Sequence, residues 1–272
     1  MAEINRSRVK RSFSRQAEKY DSLARVQQRV RERFLNIYMA DCGTPKAILD
    51  VGAGTGALLD SLVNRYPEAV IAGVDLAQGM ATRALQRFTG CSKSVFVCAD
   101  GESLPFKDNS FDLVVSTSTY QWLYPFSRAF AEAWRVLEPG RSFCIALFGE
   151  KTLYELRWSY KRALEPEGGA SQDRSHVFAS DEEVLTSLMD AGFTECSVSS
   201  ELEVELHVDV PALMRSLKNI GAGNAAAMSG RGLSGRKTMD SMIGNYQREF
   251  GMNGCIPATY QVLYCVGVKP CS

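Results

Sequence analysis

Three glycines at alternating positions follow a short apolar run: Ile48-Leu49-Asp50-Val51-Gly52-Ala53-Gly54-Thr55-Gly56. Only glycine lets a backbone turn this sharply and still leave room for a ligand against it. Dinucleotide enzymes use related turns, so the spacing alone is a weak signal. Two acids sharpen it. Asp50 precedes the first glycine, and Asp75 closes the next apolar run, 70–75, about 20 residues on, the distance at which an acid meets a ribose diol. Two carboxylates around such a turn can address a cationic amino-acid moiety and a ribose on one ligand. That is the ligand pattern of S-adenosylmethionine (SAM).

Other polar residues fall at the ends of later apolar runs. Asp100 follows the run 95–99 and can accept from an adenine amino group, or simply hold an Asp-Gly turn with Gly101. Leu76 and Met80, just past Asp75, and Ser116, near the end of 111–117, join the expected cofactor set. The hydroxylated residues 116–119 allow close approach to a ligand, while Tyr120, Gln121 and Trp122 face either the transferred group or the core. Asp75 has a local alternative too, as the N-cap of a helix starting at 77.

SAM carries its methyl on a sulfonium, and transfer is an in-line displacement that needs alignment. A hydroxyl or amine acceptor generally benefits from a base, and histidine is the usual choice. The only histidines are His176 and His207. A carboxylate acceptor, with a pKa of about 4, is already ionised and needs only positioning and exclusion of water. The histidine deficit leans towards carboxyl methylation; carbon acceptors and Asp, Glu or Tyr bases stay open.

The elements that must position these groups alternate. Strands are predicted at 47–51, 70–75, 95–99, 111–117, 143–149, 195–207 and 259–268, with helices at 57–65, 77–88, 127–137, 152–164, 181–191 and 210–220. Short apolar strands separated by helical patterns predict a parallel sheet covered on both faces. Residues 1–43 read as helical, and the Gly-, Ala- and Ser-rich 221–235 as a mobile loop. A chain of 272 residues with formal charge zero has no global field to recruit nucleic acid, although Arg6, Arg8, Lys10, Arg11 and Arg15 crowd one end. No apolar run reaches the roughly 18 residues of a membrane span, and no secretion signal is apparent. The eight cysteines are scattered without a C-x-x-C pair, which predicts reduced thiols in a cytoplasmic protein and no metal site.

The runs AILDVGAGTG, VIAGVD, FVCADGESLPFKDNSFDLVVS and RVLEPG together resemble the class I SAM-dependent methyltransferases, over about residues 45–150. More narrowly, the chain resembles the malonyl-acyl-carrier-protein O-methyltransferases of biotin synthesis. FSRQAEKYDSLARVQ (13–27), QW (121–122), LFGEKTLYELR (147–157), SLKNIGAGNAA (216–226), RGLSGRKTM (231–239) and PATYQVLYCVGVKP (257–270) carry that likeness across nearly the whole chain.

The resemblance implies an α/β, Rossmann-like fold with a mostly parallel seven-stranded sheet, helices on both faces and a helical insertion in the C-terminal half. Residues 1–43 would form a helical cap, 44–150 the SAM-binding core, and 151–272 the completion of the sheet with the carrier-binding insertion. It implies methylation of the free carboxylate of malonyl-acyl carrier protein, giving an ester that primes pimeloyl synthesis. Asp50, Gly52, Gly54 and Gly56, with Ala53 and Thr55 between them, would line the methionine end of SAM. Asp75 would take the ribose, and Asp100 with Gly101 the adenine. Tyr20 would cap the cofactor, and Gln121 with Trp122 would border the methyl. Acidic carrier protein would dock on Arg215, Lys218, Arg231, Arg236 and Lys237 together with the N-terminal basic set. Three other readings remain at this point: a small-molecule methyltransferase acting on a quinone precursor or a free acid, a SAM-binding protein without turnover, and a nicotinamide dehydrogenase. Nucleic-acid methylation ranks last.

Overall fold

Ile48, Leu49, Val114 and Val115 are fully buried because their strands are covered on both faces, the usual reason for near-continuous apolar runs. A computed structural model describes residues 5–39, 43–164, 176–223 and 233–271. Its seven strands are β1 (Ala47–Val51), β2 (Val70–Asp75), β3 (Ser94–Cys98), β4 (Phe111–Thr117), β5 (Leu137–Phe148), β6 (Thr194–His207) and β7 (Ile256–Val268). They lie in the order β3-β2-β1-β4-β5-β7-β6. The first five are parallel, and β7 runs antiparallel to both neighbours. Strand order reverses between β1 and β4, so a crevice opens beyond their carboxyl ends.

Helices α4 (Ala57–Arg65), α5 (Gln78–Arg87), α6 (Ser127–Val136) and α8 (Asp181–Asp190) follow the apolar spacing read from the sequence. Ser180 and Glu183 close a reciprocal capping box at the start of α8. Each fully buried leucine on these helices, such as Leu59, Leu62 and Leu188, contributes about 1.5–3 kcal/mol to the packing. Lys269, at the end of β7, is buried. Its ammonium donates to Asn109 Oδ1 (2.7 Å) and to the carbonyls of Trp134 (2.9 Å) and Leu137 (2.8 Å), tying the last strand to the end of α6.

Two expectations are corrected. β5 begins at Leu137 rather than 143, because Leu137 already pairs with Phe111 as the helix breaks; Gly140 then takes a left-handed backbone (φ +72°), and the register shifts against β4 between Phe111 and Leu113. The helical reading of the chain before 43 holds, in separate pieces: α1 (Arg6–Gln16), α2 (Tyr20–Leu23) and α3 (Arg25–Arg33), followed by a π-helical turn (Phe34–Tyr38). Finally, α10 (Leu233–Phe250) was not anticipated. Of the stretch read as a mobile loop, residues 224–232 lie outside the described residues, and 233–235 already belong to this helix. Its buried positions, Thr238, Met242 and Tyr246, fall one turn apart but amount to a thin stripe that glycine and polar residues obscure. It packs beside α7 (Tyr154–Leu164) and α9 (Val210–Asn219).

The N-terminal helices lie over the sheet's carboxyl end. Ala17 packs with Ala77 and Met80, with Phe13 and Tyr20 beside them. A Cβ on Gly79 would sit 2.4 Å from the Ser14 carbonyl oxygen, so this glycine is what lets α1 ride directly on the start of α5.

Candidate functional site

Beyond the ends of β1, β2, β3 and β4 lies a cleft of about 1160 Å³ of open space, roofed by α1, α2 and α3. Asp50, Gly52, Ala53, Gly54 and Thr55 line its floor, Asp75, Leu76 and Met80 one wall, and Asp100 with Gly101 the far end. Tyr20 closes it from above and Trp122 from the side. Twelve of the expected site residues thus meet around one space.

The floor is shaped by backbone. Gly52 (φ +78°) and Ala53 both donate their N–H to the Val74 carbonyl at 2.8 Å, folding the turn back over β2. A Cβ at Gly52 would lie 2.1 Å from Thr119 Cγ2, whereas one at Gly54 (φ +54°) would meet nothing within 4 Å. Gly54 therefore presents its backbone to open space. Asp75 Oδ2 accepts from the Gly54 N–H (2.9 Å) and Oδ1 from the Ala77 N–H (2.7 Å). The cap role and the cleft role coincide in this one side chain, whose remaining lone pairs are left to a ligand.

The electrostatics are unusual for carboxylates. Burial, reinforced by the charge of Asp75, pushes Asp50 well above the ordinary range. Its Oδ1 is buried and has no hydrogen-bond partner. Burial raises Asp75 to about 6 even against its two backbone donors. Tyr20 is raised by burial and by the charges of Asp75 and Asp21. A buried acceptor with no donor is costly on its own. A cationic ammonium at Asp50 and a diol at Asp75 would satisfy both positions, which is the fit that the SAM amino-acid end and ribose require.

The roof is latched at three points. Arg6 reaches Asp100 Oδ2 (2.9 Å) and Glu102 Oε1 (2.6 Å). Gly79 N–H donates to Ser14 Oγ (3.3 Å). Thr55 Oγ1 donates to Asp21 Oδ1 (2.5 Å), and Arg87 pairs with the same aspartate. Arg6 is thereby engaged with Asp100 at the end of the cleft and with Glu102 beside it.

Three expected residues lie outside the cleft. Gly56 (φ +81°) is the N-cap of α4 and backs onto Phe88 and Ala84. Ser116 is fully buried and donates to the Val51 carbonyl at 2.6 Å, bracing β1 to β4. Gln121 is buried, and its side-chain amide donates to the Ser118 carbonyl at 2.7 Å. Alternation along β4 turns Ser116 inward, while Thr117 at its end and Ser118 and Thr119 in the turn beyond it line the cleft instead. Ser118 holds a left-handed backbone (φ +57°), and its Oγ is buried without a partner. A non-glycine residue in that region marks local strain of a kind that clusters at functional sites.

Phe13 was missed as a site residue. Its ring sits edge-on to Tyr20 (6.2 Å) and Trp122 (5.8 Å) and so joins roof to side wall. Helical spacing alone did not reveal this, because α1 ends at Gln16 and Tyr20 opens α2, so the two rings meet across a turn rather than along one helix. Behind Trp122 stands His176, with ring centroids 4.7 Å apart. Burial lowers His176 to about 4, against a hydrogen bond to the Gln121 backbone. Among the described residues, no histidine lines the cleft and no His, Cys, Asp and Glu cluster is arranged for a metal.

The expected docking residues sit elsewhere. Arg215 and Lys218 are exposed on α9, opposite its buried Val210, Leu213 and Leu217; Arg236 and Lys237 are exposed on α10. Arg231 lies outside the described residues. The end of α9 nevertheless reaches the site, because Gly221 (φ +83°) packs against Phe13.

A methyltransferase-domain family matches residues 49–145. Among solved structures, Haemonchus contortus phosphoethanolamine N-methyltransferase 2 in complex with SAM is similar in fold, at 18% identity and a TM-score of 0.54, covering 91% of this chain and 53% of that one. A biotin biosynthesis bifunctional protein BioHC of Teredinibacter turnerae is 34% identical over 97% of this chain and 47% of its own length. A malonyl-(acyl-carrier protein) O-methyltransferase of Geobacter sulfurreducens is 51% identical over 98% of this chain and 100% of its own. With its fold, its cleft and near end-to-end identity in accord, the chain belongs to the malonyl-(acyl-carrier protein) O-methyltransferase family.

Proposed function

We infer that this enzyme methylates the free carboxylate of a malonyl group carried on acyl carrier protein, giving the methyl ester that starts pimeloyl synthesis for biotin. The observation that carries the reading is a nucleotide-type cleft that, among the described residues, no histidine lines. The nearest imidazole, His176, stands behind Trp122, and burial lowers it to about 4, which leaves it a weak base. An acceptor that ionises at a pKa of about 4 needs no base for proton removal.

SAM, when bound, supplies a methyl group on a positively charged sulfur. The chain's residues bind, align and keep water out. Asp50 neutralises the ammonium end, the Gly52–Thr55 turn receives the methionine backbone, Asp75 accepts from the ribose hydroxyls, and Asp100 with Gly101 borders the adenine. Tyr20 and Phe13 close the roof, and Trp122 with Ser118 bounds the space left for the malonyl end. Lys10 and Arg31 also line the cleft and have no ion-pair partner among the described residues, which favours approach of an anionic acceptor.

The carrier docks on the exposed faces of α9 and α10. Support comes from the amphipathic build of α9 and from Gly221, which connects that helix to Phe13 at the cleft. Free thiols at the seven described cysteines suit a reducing, cytoplasmic setting. Replacing Arg215 and Lys218 together by Glu should lower kcat/KM for malonyl-loaded carrier about tenfold, mainly through slower encounter, and leave a small malonyl thioester unaffected. Equal losses on both substrates, or none on either, would remove the docking role and favour a small-molecule acceptor.

A further inference from the structure

The edge strand β6 carries its charges inward and its aliphatic residues outward. Glu201 and Glu203 face α3, where Arg33 and Arg29 meet them at 2.8 Å each. Glu205 lies 3.2 Å from His207 Nε2 and also feels Arg29 and Arg25. The arginines recur every fourth residue on one helix face and match glutamates at every second residue on one strand face. The opposite face shows Leu202 (60% exposed), Val204 (52%) and Leu206 (61%), and Val208 (71%) continues the line. Helix α8 covers the start of that face, where Cys196 and Val198 pack against the core, and does not extend to the rest.

Soluble proteins guard exposed strand edges with lysine, proline, bulges or brevity. The opposite edge, β3, is only five residues long. β6 has 14 residues, no lysine, arginine or proline from Cys196 to His207, and its register shift is confined to 194–197. Among the described residues no strand pairs with its outer edge.

We propose that the uncovered half of β6 is the interface with a second copy of this chain, the two strands pairing antiparallel about a two-fold axis at Val204. That register is self-complementary. Leu202 faces Leu206 of the partner, Val204 faces its own copy, and Glu201 faces His207. Glu203 faces Glu205; Arg29 pairs with Glu203, and Arg29 and Arg25 also act on Glu205, which offsets the repulsion of these like charges between the two copies. A two-fold contact needs this kind of self-matching patch.

Sedimentation equilibrium over a concentration series tests it, comparing the full chain with Val204→Lys. The expected result is a species of twice 30.0 kDa for the wild type and of 30.0 kDa for the variant, with unchanged far-UV circular dichroism and SAM affinity in both. Register is read by Val204→Cys, which should form a cross-link between copies under an added thiol oxidant. Leu202→Cys should add nothing beyond the wild-type background from exposed Cys98 and Cys271. A wild type that stays monomeric, or a Val204→Lys chain that still dimerises, overturns the proposal. So does a monomer that binds malonyl-loaded carrier one to one and loses it with Val204→Lys, which would assign the face to the carrier.

Discussion

Around Asp50 and Asp75 the cleft is formed by backbone, whereas around Trp122 it is formed by side chains drawn from separate parts of the chain. On the first side, one turn of five residues folds onto β2 through the Val74 carbonyl and is held by Asp75. On the second, Phe13 meets Trp122 edge-on, Trp122 meets His176 at a tilt, and Gly221 backs Phe13. Backbone geometry of the first kind is encoded locally, by glycines at fixed spacing. The second kind depends on what the rest of the fold brings near.

The largest effect that would sharpen this contrast is on the floor. Gly52→Ala combines a left-handed backbone with a clash against Thr119, so the fold should be destabilised by about 2–5 kcal/mol, from left-handed strain plus overpacking. Gly54→Ala meets no protein atom and should cost the fold only about 1–2 kcal/mol, but its Cβ enters the open cleft and should weaken SAM binding. Chemical denaturation and titration calorimetry with SAM compare them, and equal losses of stability would mean that Thr119 simply moves aside.

Next comes the side wall. Trp122→Ala should lower turnover about a hundredfold through misplaced acceptor, with SAM affinity little changed. If the SAM dissociation constant rises as steeply as turnover falls, Trp122 belongs to the cofactor side and the division drawn above is wrong.

The smallest effect is a pH dependence. With Asp75 near 6 in the free protein, acid adds a proton that the ribose hydroxyls must compete with. Affinity for SAM is therefore full above pH 7 and falls as pH drops through 6, by about tenfold at pH 5. Asp75→Asn should bind more weakly at pH 7 and lose that slope. A slope that persists in Asp75→Asn would point to Asp50 instead.

How far the sequence could be read follows the same division. β1, β2 and β4 were bounded to the residue, and the floor residues were named, because apolar runs and glycine spacing are local signals. Ser116 and Gln121 were assigned to the site on position alone; alternation along β4 and a short turn point them into the structure. Ser118 was read only as one of a hydroxylated run that allows close approach, and Phe13 was not assigned, since a strained serine and a ring bridging two walls become visible only in three dimensions. Helix α10 escaped because its buried stripe is thin. The ladder of Arg25, Arg29 and Arg33 against Glu201, Glu203 and Glu205 joins segments more than 160 residues apart, and no local pattern pairs them.

Intact mass of malonyl-loaded carrier protein after incubation with the enzyme and methyl-labelled SAM, with acetyl-loaded carrier alongside, tests the central claim most directly. One labelled methyl should appear on the malonyl form alone and be released by an esterase. SAM binding with neither carrier changing mass would contradict the account.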